Sequence, residues 1–230
     1  MSNSSLKIYG VPFSVHTRKV ILAARIKSMA FELVPVVPVI PDKTPANWRS
    51  ISPTGFIPAI EDDGFVLAES SAILLYLERK QPMPALLPAN ARDYGRALFF
   101  DAWASTALFR QIVHPLFHNQ IVAPNLRKQP GDPSAIDLAL NQAAPEAFAF
   151  LEQSVSGKHL VGDVLTIADL TVVSNLIMFH YLGRRIDGAR FPKLRAYFER
   201  SLGAEPFAHA LAHEKQFVEG VPGLKASCVD

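Results

Sequence analysis

Up to about Glu78 the apolar positions come in short runs around one helical stretch. Leu6-Lys7-Ile8-Tyr9 reads as a strand, and so does Phe31-Glu32-Leu33-Val34. Between them, from Ser14 to Lys27, Val20, Ile21, Ala24 and Ile26 recur at helical spacing, with Arg18, Lys19 and Arg25 as the polar side. Pro35, Pro38, Pro41, Pro45 and Pro53 limit the next segment to a short helix around Asn47-Trp48-Arg49. Ile57 to Glu61, then Asp62-Asp63-Gly64, then Phe65-Val66-Leu67 reads as a hairpin. A helix from Ser70 follows, with Ile73, Leu74 and Leu77 on one face. This order predicts a small mixed α/β unit: a βαβ start followed by an antiparallel pair.

Gln81 to Asn90 carries Pro82, Pro84 and Pro88 and suits a stiff linker. Beyond it the pattern turns helical. Candidate helices run about Ala91–Phe117, Pro133–Val155, Thr166–Leu182, Pro192–Leu202 and Pro206–Phe217. Thr166-Ile167-Ala168-Asp169 fits a capping box with Asp for the usual Glu, and Leu165 and Leu170 fall at the staple positions. As a cap alone, Asp169 is worth about 1 kcal/mol.

Composition adds exclusions. Of 230 residues, 49% are apolar and 19% charged, a globular balance. A net charge of +2 gives no electrostatic case for nucleic-acid or membrane-surface partners. The most apolar stretch, Ala168 to Leu182, is broken by Asp169, Ser174, Asn175 and His180, short of a membrane span. Met1 to Lys7 lacks an apolar signal core. One cysteine, Cys228, leaves no intrachain disulfide and no cysteine-based metal site. These features suggest a soluble protein of a reducing, cytoplasmic compartment.

Several residues invite chemistry, each with a plain structural alternative. Pro58 inside a strand pattern is an ordinary trans proline or a cis one, cis being about 5% of X–Pro bonds. In cis, Ile57 would turn its backbone groups toward an extended ligand. Glu69-Ser70 opens a helix, with Ser70 as N-cap or as part of a site for a ligand carboxylate. Ser14 opens the first helix, again a cap or a hydrogen-bond donor to an anion. No Gly-x-Ser-x-Gly elbow supports it as a nucleophile. His114 with His118, and His209 with His213, have metal-ligand spacing but no accompanying carboxylate motif.

Together these features resemble the glutathione transferases, serine-type and phi/theta-like. Lys7-Ile8-Tyr9-Gly10-Val11-Pro12-Phe13-Ser14-Val15-His16-Thr17-Arg18-Lys19-Val20 is similar to the family's strand-one to helix-one signature. Ser52 to Ile60 resembles its Asn-Pro-x-Gly-x-Ile/Val-Pro-x-Leu segment. Leu67 to Leu77 resembles its Glu-Ser-x-Ala-Ile helix start, and Leu165 to Leu170 its C-terminal folding motif. The resemblance implies an α/β thioredoxin-like N-terminal domain plus an all-α C-terminal helical domain. The expected boundaries are residues 1–80 for glutathione binding, 81–91 for the linker and 92–230 for the helical domain.

It further implies glutathione as co-substrate, no metal, a small electrophile and a homodimer. Ile57, before a cis Pro58, would pair with the cysteinyl backbone, and Glu69 and Ser70 would hold the γ-glutamyl end. Ser14 would donate to the sulfur. Phe56 stands where the family usually has a polar residue, and Lys43 could supply the missing charge. Phe13, Phe109 and Phe117 are candidates for the electrophile pocket. Tyr9 is a weaker competitor for the thiol. A free thiol ionises near pH 8.5, and lowering that by about two units takes roughly 2.7 kcal/mol. A hydrogen bond to a charged group supplies about 1.5–3 kcal/mol and a helix N-terminus roughly 0.3–1 more. The alternatives are a non-catalytic binder of apolar ligands or of a protein, with Phe56 marking a lost thiol site, or a glutathione-dependent peroxidase or isomerase.

Overall fold

In the computed structural model the described residues are 6–40 and 42–228. Strands β1 (Leu6–Tyr9), β2 (Phe31–Val34), β3 (Ala59–Asp62) and β4 (Phe65–Ala68) form one sheet in the order β2-β1-β3-β4. β1 runs parallel to β2 and antiparallel to β3, and β3 is antiparallel to β4. The β3–β4 turn is the two residues Asp63 and Gly64, with φ of 50° and 84°. Two such residues give the primed turn whose twist suits a hairpin.

Strand alternation splits the sheet into two faces. Ile8 pairs with Ile60, and both face α1 (Val15–Ile26) and α3 (Ser70–Lys80) within the main core. Tyr9 and Ala59, one position on, join Val36, Trp48 and Ile51 beneath the short helix α2 (Trp48–Ile51).

The rest of the chain is helical. α4 (Ala91–Trp103) continues through wider, π-type turns at Ala104–Val113 into α5 (His114–Phe117). It goes on through His118–Val122 into α6 (Ala123–Leu126). The sequence pattern ends this helix at Phe117; the structure carries it on to Leu126 despite Pro115 and Pro124. A proline inside an α-helix lacks an N–H and collides with the carbonyl four residues back. Here each wide stretch ends just ahead of a proline-bearing turn. The wider turn absorbs both problems. The same device joins α7 (Pro133–Leu138), through Ala139–Ala143, to α8 (Ala144–Ser154) at Pro145. Gly131 permits the chain's return before α7, since a Cβ there would lie 2.1 Å from the Asn119 carbonyl oxygen.

α9 (Ile167–Tyr181) is buried at every position, with α10 (Pro192–Gly203) and α11 (Glu205–Glu219) beside it. Several of its polar groups are bonded inside the protein, while the buried Ser174 hydroxyl has no hydrogen-bond partner among the described residues. Asn175 Nδ2 donates to the carbonyls of Thr171 (2.9 Å) and Ala104 (3.2 Å), and His180 Nδ1 lies 2.8 Å from the Cys228 carbonyl. Asp169 does more than cap. Its carboxylate accepts from the N–H groups of Thr166 (2.9 Å) and Leu160 (3.0 Å), the Thr166 hydroxyl (3.2 Å) and the Tyr197 hydroxyl (2.8 Å). Among the described residues no helix is long and apolar enough to cross a membrane.

Candidate active site

The sheet register brings the chemistry-bearing segments to one end. Tyr9, the last residue of β1, pairs with Ala59, the first of β3, and Ala59 pairs with Ala68, the last of β4. The turn into α1, the peptide before β3 and the start of α3 therefore leave the sheet at the same end. Ser14, Ile57–Pro58 and Glu69–Ser70 sit on those three segments.

Ser14 caps α1 from extended backbone, with φ −63° and ψ 131°. Its hydroxyl accepts the Thr17 N–H at 3.5 Å, a long bond that leaves the oxygen available. The first turn of α1 carries no acidic residue of its own to occupy the positive end of its dipole. Gly10 allows the approach from β1, because a Cβ there would sit 2.5 Å from the Thr17 hydroxyl.

The Ile57–Pro58 bond is cis. The loop before it is held from α2: Trp48 Nε1 donates to the Gly55 carbonyl (3.1 Å) and the Ser52 hydroxyl to the Phe56 carbonyl (2.8 Å). The Phe56 side chain is 72% exposed. At α3 the cap position belongs to Glu69, and Ser70 is the first helical residue, so the reading of Ser70 as N-cap is corrected by one position. Glu69 has φ 72°, a left-handed backbone that costs a non-glycine residue of order 1–3 kcal/mol. Such a conformation holds an exposed carboxylate beside the buried Ser70. Lys43 is exposed in the segment after β2, and its ammonium makes no ion pair among the described residues.

Tyr9 is engaged elsewhere. Its hydroxyl donates to Glu61 Oε2 at 2.7 Å, and burial with that carboxylate pushes its pKa up to about 12. Of the three phenylalanines, Phe109 reaches the first turn of α1, its ring 4.4 Å from that of His16. His114 lies 5.8 Å from Phe109 and stacks on His118 at 6.0 Å. Phe13 and Phe117 are half-buried against the main core, and no ring contact joins them to Phe109 among the described residues. His16 was missed by sequence reasoning. Burial, and then the charge of Lys19, push its pKa down to about 3, so its ring is neutral.

Arg18 and Lys19, the expected polar side of α1, are buried, at 1% and 0% exposed. Lys19 Nζ donates to Asp101 Oδ1 (2.7 Å), Ser105 (2.8 Å) and Ser71 (3.2 Å), tying α1 to α3 and α4. Burial pulls the Lys19 pKa down and Asp101 opposes that shift. A signal was present: Arg18 lies three residues after buried Val15 and four before buried Leu22, on an apolar stripe. Their acidic partners, Asp101 and Glu214, are far away in sequence and gave no such signal.

A surface cavity of about 370 Å³ lies between α1, β2 and His213 and includes none of the predicted site residues. No group of three metal-ligating side chains occurs among the described residues.

Residues 8–85 match the family model described as "Glutathione S-transferase, N-terminal domain", and residues 130–200 match "Glutathione S-transferase, C-terminal domain". The chain is 32% identical over 190 residues to the glutathione S-transferase-like protein LUC7 of Fusarium sp, covering 81% of this chain and 84% of that one. It is 26% identical over 228 residues to human glutathione S-transferase theta-1, covering 96% and 94%. The apo structure of human glutathione S-transferase T1-1 shares the fold, with a TM-score of 0.81 at 24% identity over 94% of this chain and 90% of that one. The chain belongs to the glutathione S-transferase family, an enzyme family, and has its two-part fold.

Proposed function

We propose that the protein is a glutathione-dependent transferase in which the Ser14 hydroxyl stabilises the glutathione thiolate for attack on a small apolar electrophile. The observation that carries this reading is the weakly used Ser14 oxygen at an acid-free helix start. It lies at the sheet end shared with Ile57–Pro58 and Glu69–Ser70. Residues 1–80 bind glutathione, 81–91 link, and 92–230 supply the electrophile pocket. Ile57 pairs with the cysteinyl backbone, Glu69 and Ser70 hold the γ-glutamyl end, and Lys43 meets the glycine carboxylate. Phe13, Phe109 and Phe117 receive the electrophile, with His16 beside Phe109.

The thiol proton leaves to solvent, and the sulfur anion accepts the Ser14 O–H and faces the first-turn amides. With a chlorodinitrobenzene, a C–S bond forms and chloride leaves. No general base is needed, because the hydroxyl and helix end cover the roughly 2.7 kcal/mol of thiol ionisation. In the cell the protein works as a cytoplasmic homodimer in detoxification. The test is conjugation of glutathione to chlorodinitrobenzene. Ser14→Ala should lower turnover at neutral pH about 10–100-fold at saturating glutathione. Full turnover in that variant would refute the role.

A second reading, a non-catalytic binder, draws on Phe56, whose apolar side chain is 72% exposed beside the cis peptide. Calorimetry separates the two. Glutathione binding at millimolar affinity or better supports the enzyme, and silence with retention of apolar dyes supports the binder.

A further inference from the structure

Behind Ser14 lies a fully buried guanidinium fork. Arg18 Nε donates to both carboxylate oxygens of Glu214, at 3.1 and 3.0 Å. Its Nη1 donates to the Ser174 carbonyl (2.8 Å) and its Nη2 to the Phe13 carbonyl (3.0 Å). Glu214, on α11, also accepts the Tyr181 hydroxyl from α9 at 2.7 Å. Arg18 and Glu214 side chains are each 1% exposed.

Burying such a pair gains little stability, since apolar residues of similar volume often do as well. Its distinct product is geometry. The Phe13–Ser14 peptide unit is planar, and it is held at both ends. Arg18 grips its carbonyl, and its N–H, that of Ser14, donates to the Val11 carbonyl at 3.1 Å. The Ser14 carbonyl in turn accepts the Arg18 N–H at 2.8 Å. A planar guanidinium fixes several acceptors in one plane, which a lysine cannot do. So the last helix, 196 residues beyond Arg18, constrains the backbone that aims the Ser14 side chain.

We propose that Glu214, acting through Arg18, is a positioning residue that holds the Ser14 hydroxyl in line with the thiol. This rests on the reading of Ser14 as the thiol's donor. The ionisable neighbours do not switch in the neutral range. Burial, with Glu214 adding to it, pushes the Tyr181 hydroxyl up; burial pushes the Cys228 thiol up to about 12; burial and Lys19 push His16 down to about 3. Arg185 also acts on Cys228, and Lys19 with Asp101 forms a separate pair toward α4.

The test is the ionisation midpoint of bound glutathione, read from thiolate absorbance against pH. It is measured in the full chain, in Ser14→Ala and in the double variant Arg18→Met/Glu214→Gln. The double variant removes one charge of each sign and leaves the Tyr181 hydroxyl an acceptor. The expected result is a midpoint raised by about one unit, most of the value of a hydrogen bond to an anion. Glutathione affinity should stay within about threefold, because the cradle at Ile57, Glu69 and Ser70 is untouched. A folded double variant with the midpoint of the parent overturns the proposal while Ser14 stands. A parent midpoint no lower than free glutathione, or Ser14→Ala equal to the parent, overturns the Ser14 reading itself. If the double variant does not fold, Arg18→Lys decides by the same readout. It keeps the charge opposite Glu214 and loses the fork, so an unshifted midpoint there also overturns the proposal.

Discussion

Replacing Asp169 with alanine should cost far more than a helix cap. The side chain is fully buried and accepts four hydrogen bonds: two backbone N–H groups and the hydroxyls of Thr166 and Tyr197. Removing it strands those donors away from water. At about 1 kcal/mol for each bond the loss is about 4 kcal/mol, against about 1 for a cap alone. For a chain of this size that lowers the melting temperature by on the order of 10 °C. Asp169→Asn keeps one acceptor oxygen and should lose about half as much. Tyr197→Phe removes a single bond to a charged group and should cost about 1.5 kcal/mol or somewhat more. The assay is urea unfolding with an unchanged m-value, so that midpoint shifts report stability alone. A loss below about 1.5 kcal/mol in Asp169→Ala would show that the residue is only a cap.

Two further outcomes follow from the buried charges. Lys19→Met leaves Asp101 buried without its cation and should destabilise by about 3–5 kcal/mol, and Lys19→Met/Asp101→Asn should recover most of that. A double variant no more stable than the single one in urea would show that compensation is not what Lys19 provides. His16 is depressed from 6.5 to about 3 on folding, so the unfolded chain takes up a proton that the folded chain refuses. Its stability contribution is complete above about pH 6.5 and is lost as pH falls toward 3. Between about pH 7.5 and pH 5 that amounts to about 2 kcal/mol. His16→Phe should remove this share of the acid sensitivity, and an unchanged slope of stability against pH would refute the assignment.

Most elements were legible because their signals are local. The β3–β4 turn is announced by Asp63-Gly64, α9 by Thr166 and Asp169, and the mixed unit by its order of runs. The sequence pattern carries the first long helix through Pro115 but ends it at Phe117, because the wider turns that take it on past Pro124 to Leu126 have no sequence mark. The cap is read one position late because serine is the better cap by type, while nothing in the residue type marks the left-handed backbone at Glu69. Arg18 and Lys19 form the polar side of α1 in the sequence pattern, and charged side chains are rarely fully buried unless paired. Their burial depends on Glu214 and Asp101, which only the packing of α1 against the later helices reveals.

The proposed mechanism requires Ser14 and the amides of α1 to make a sulfur anion stable at neutral pH. Thiolate absorbance of glutathione bound to the unaltered protein, followed against pH beside Ser14→Ala, tests it most directly. The predicted result is a midpoint about two units below the free thiol's 8.5, returning most of the way in the variant. A midpoint equal to that of free glutathione in the unaltered protein would contradict it.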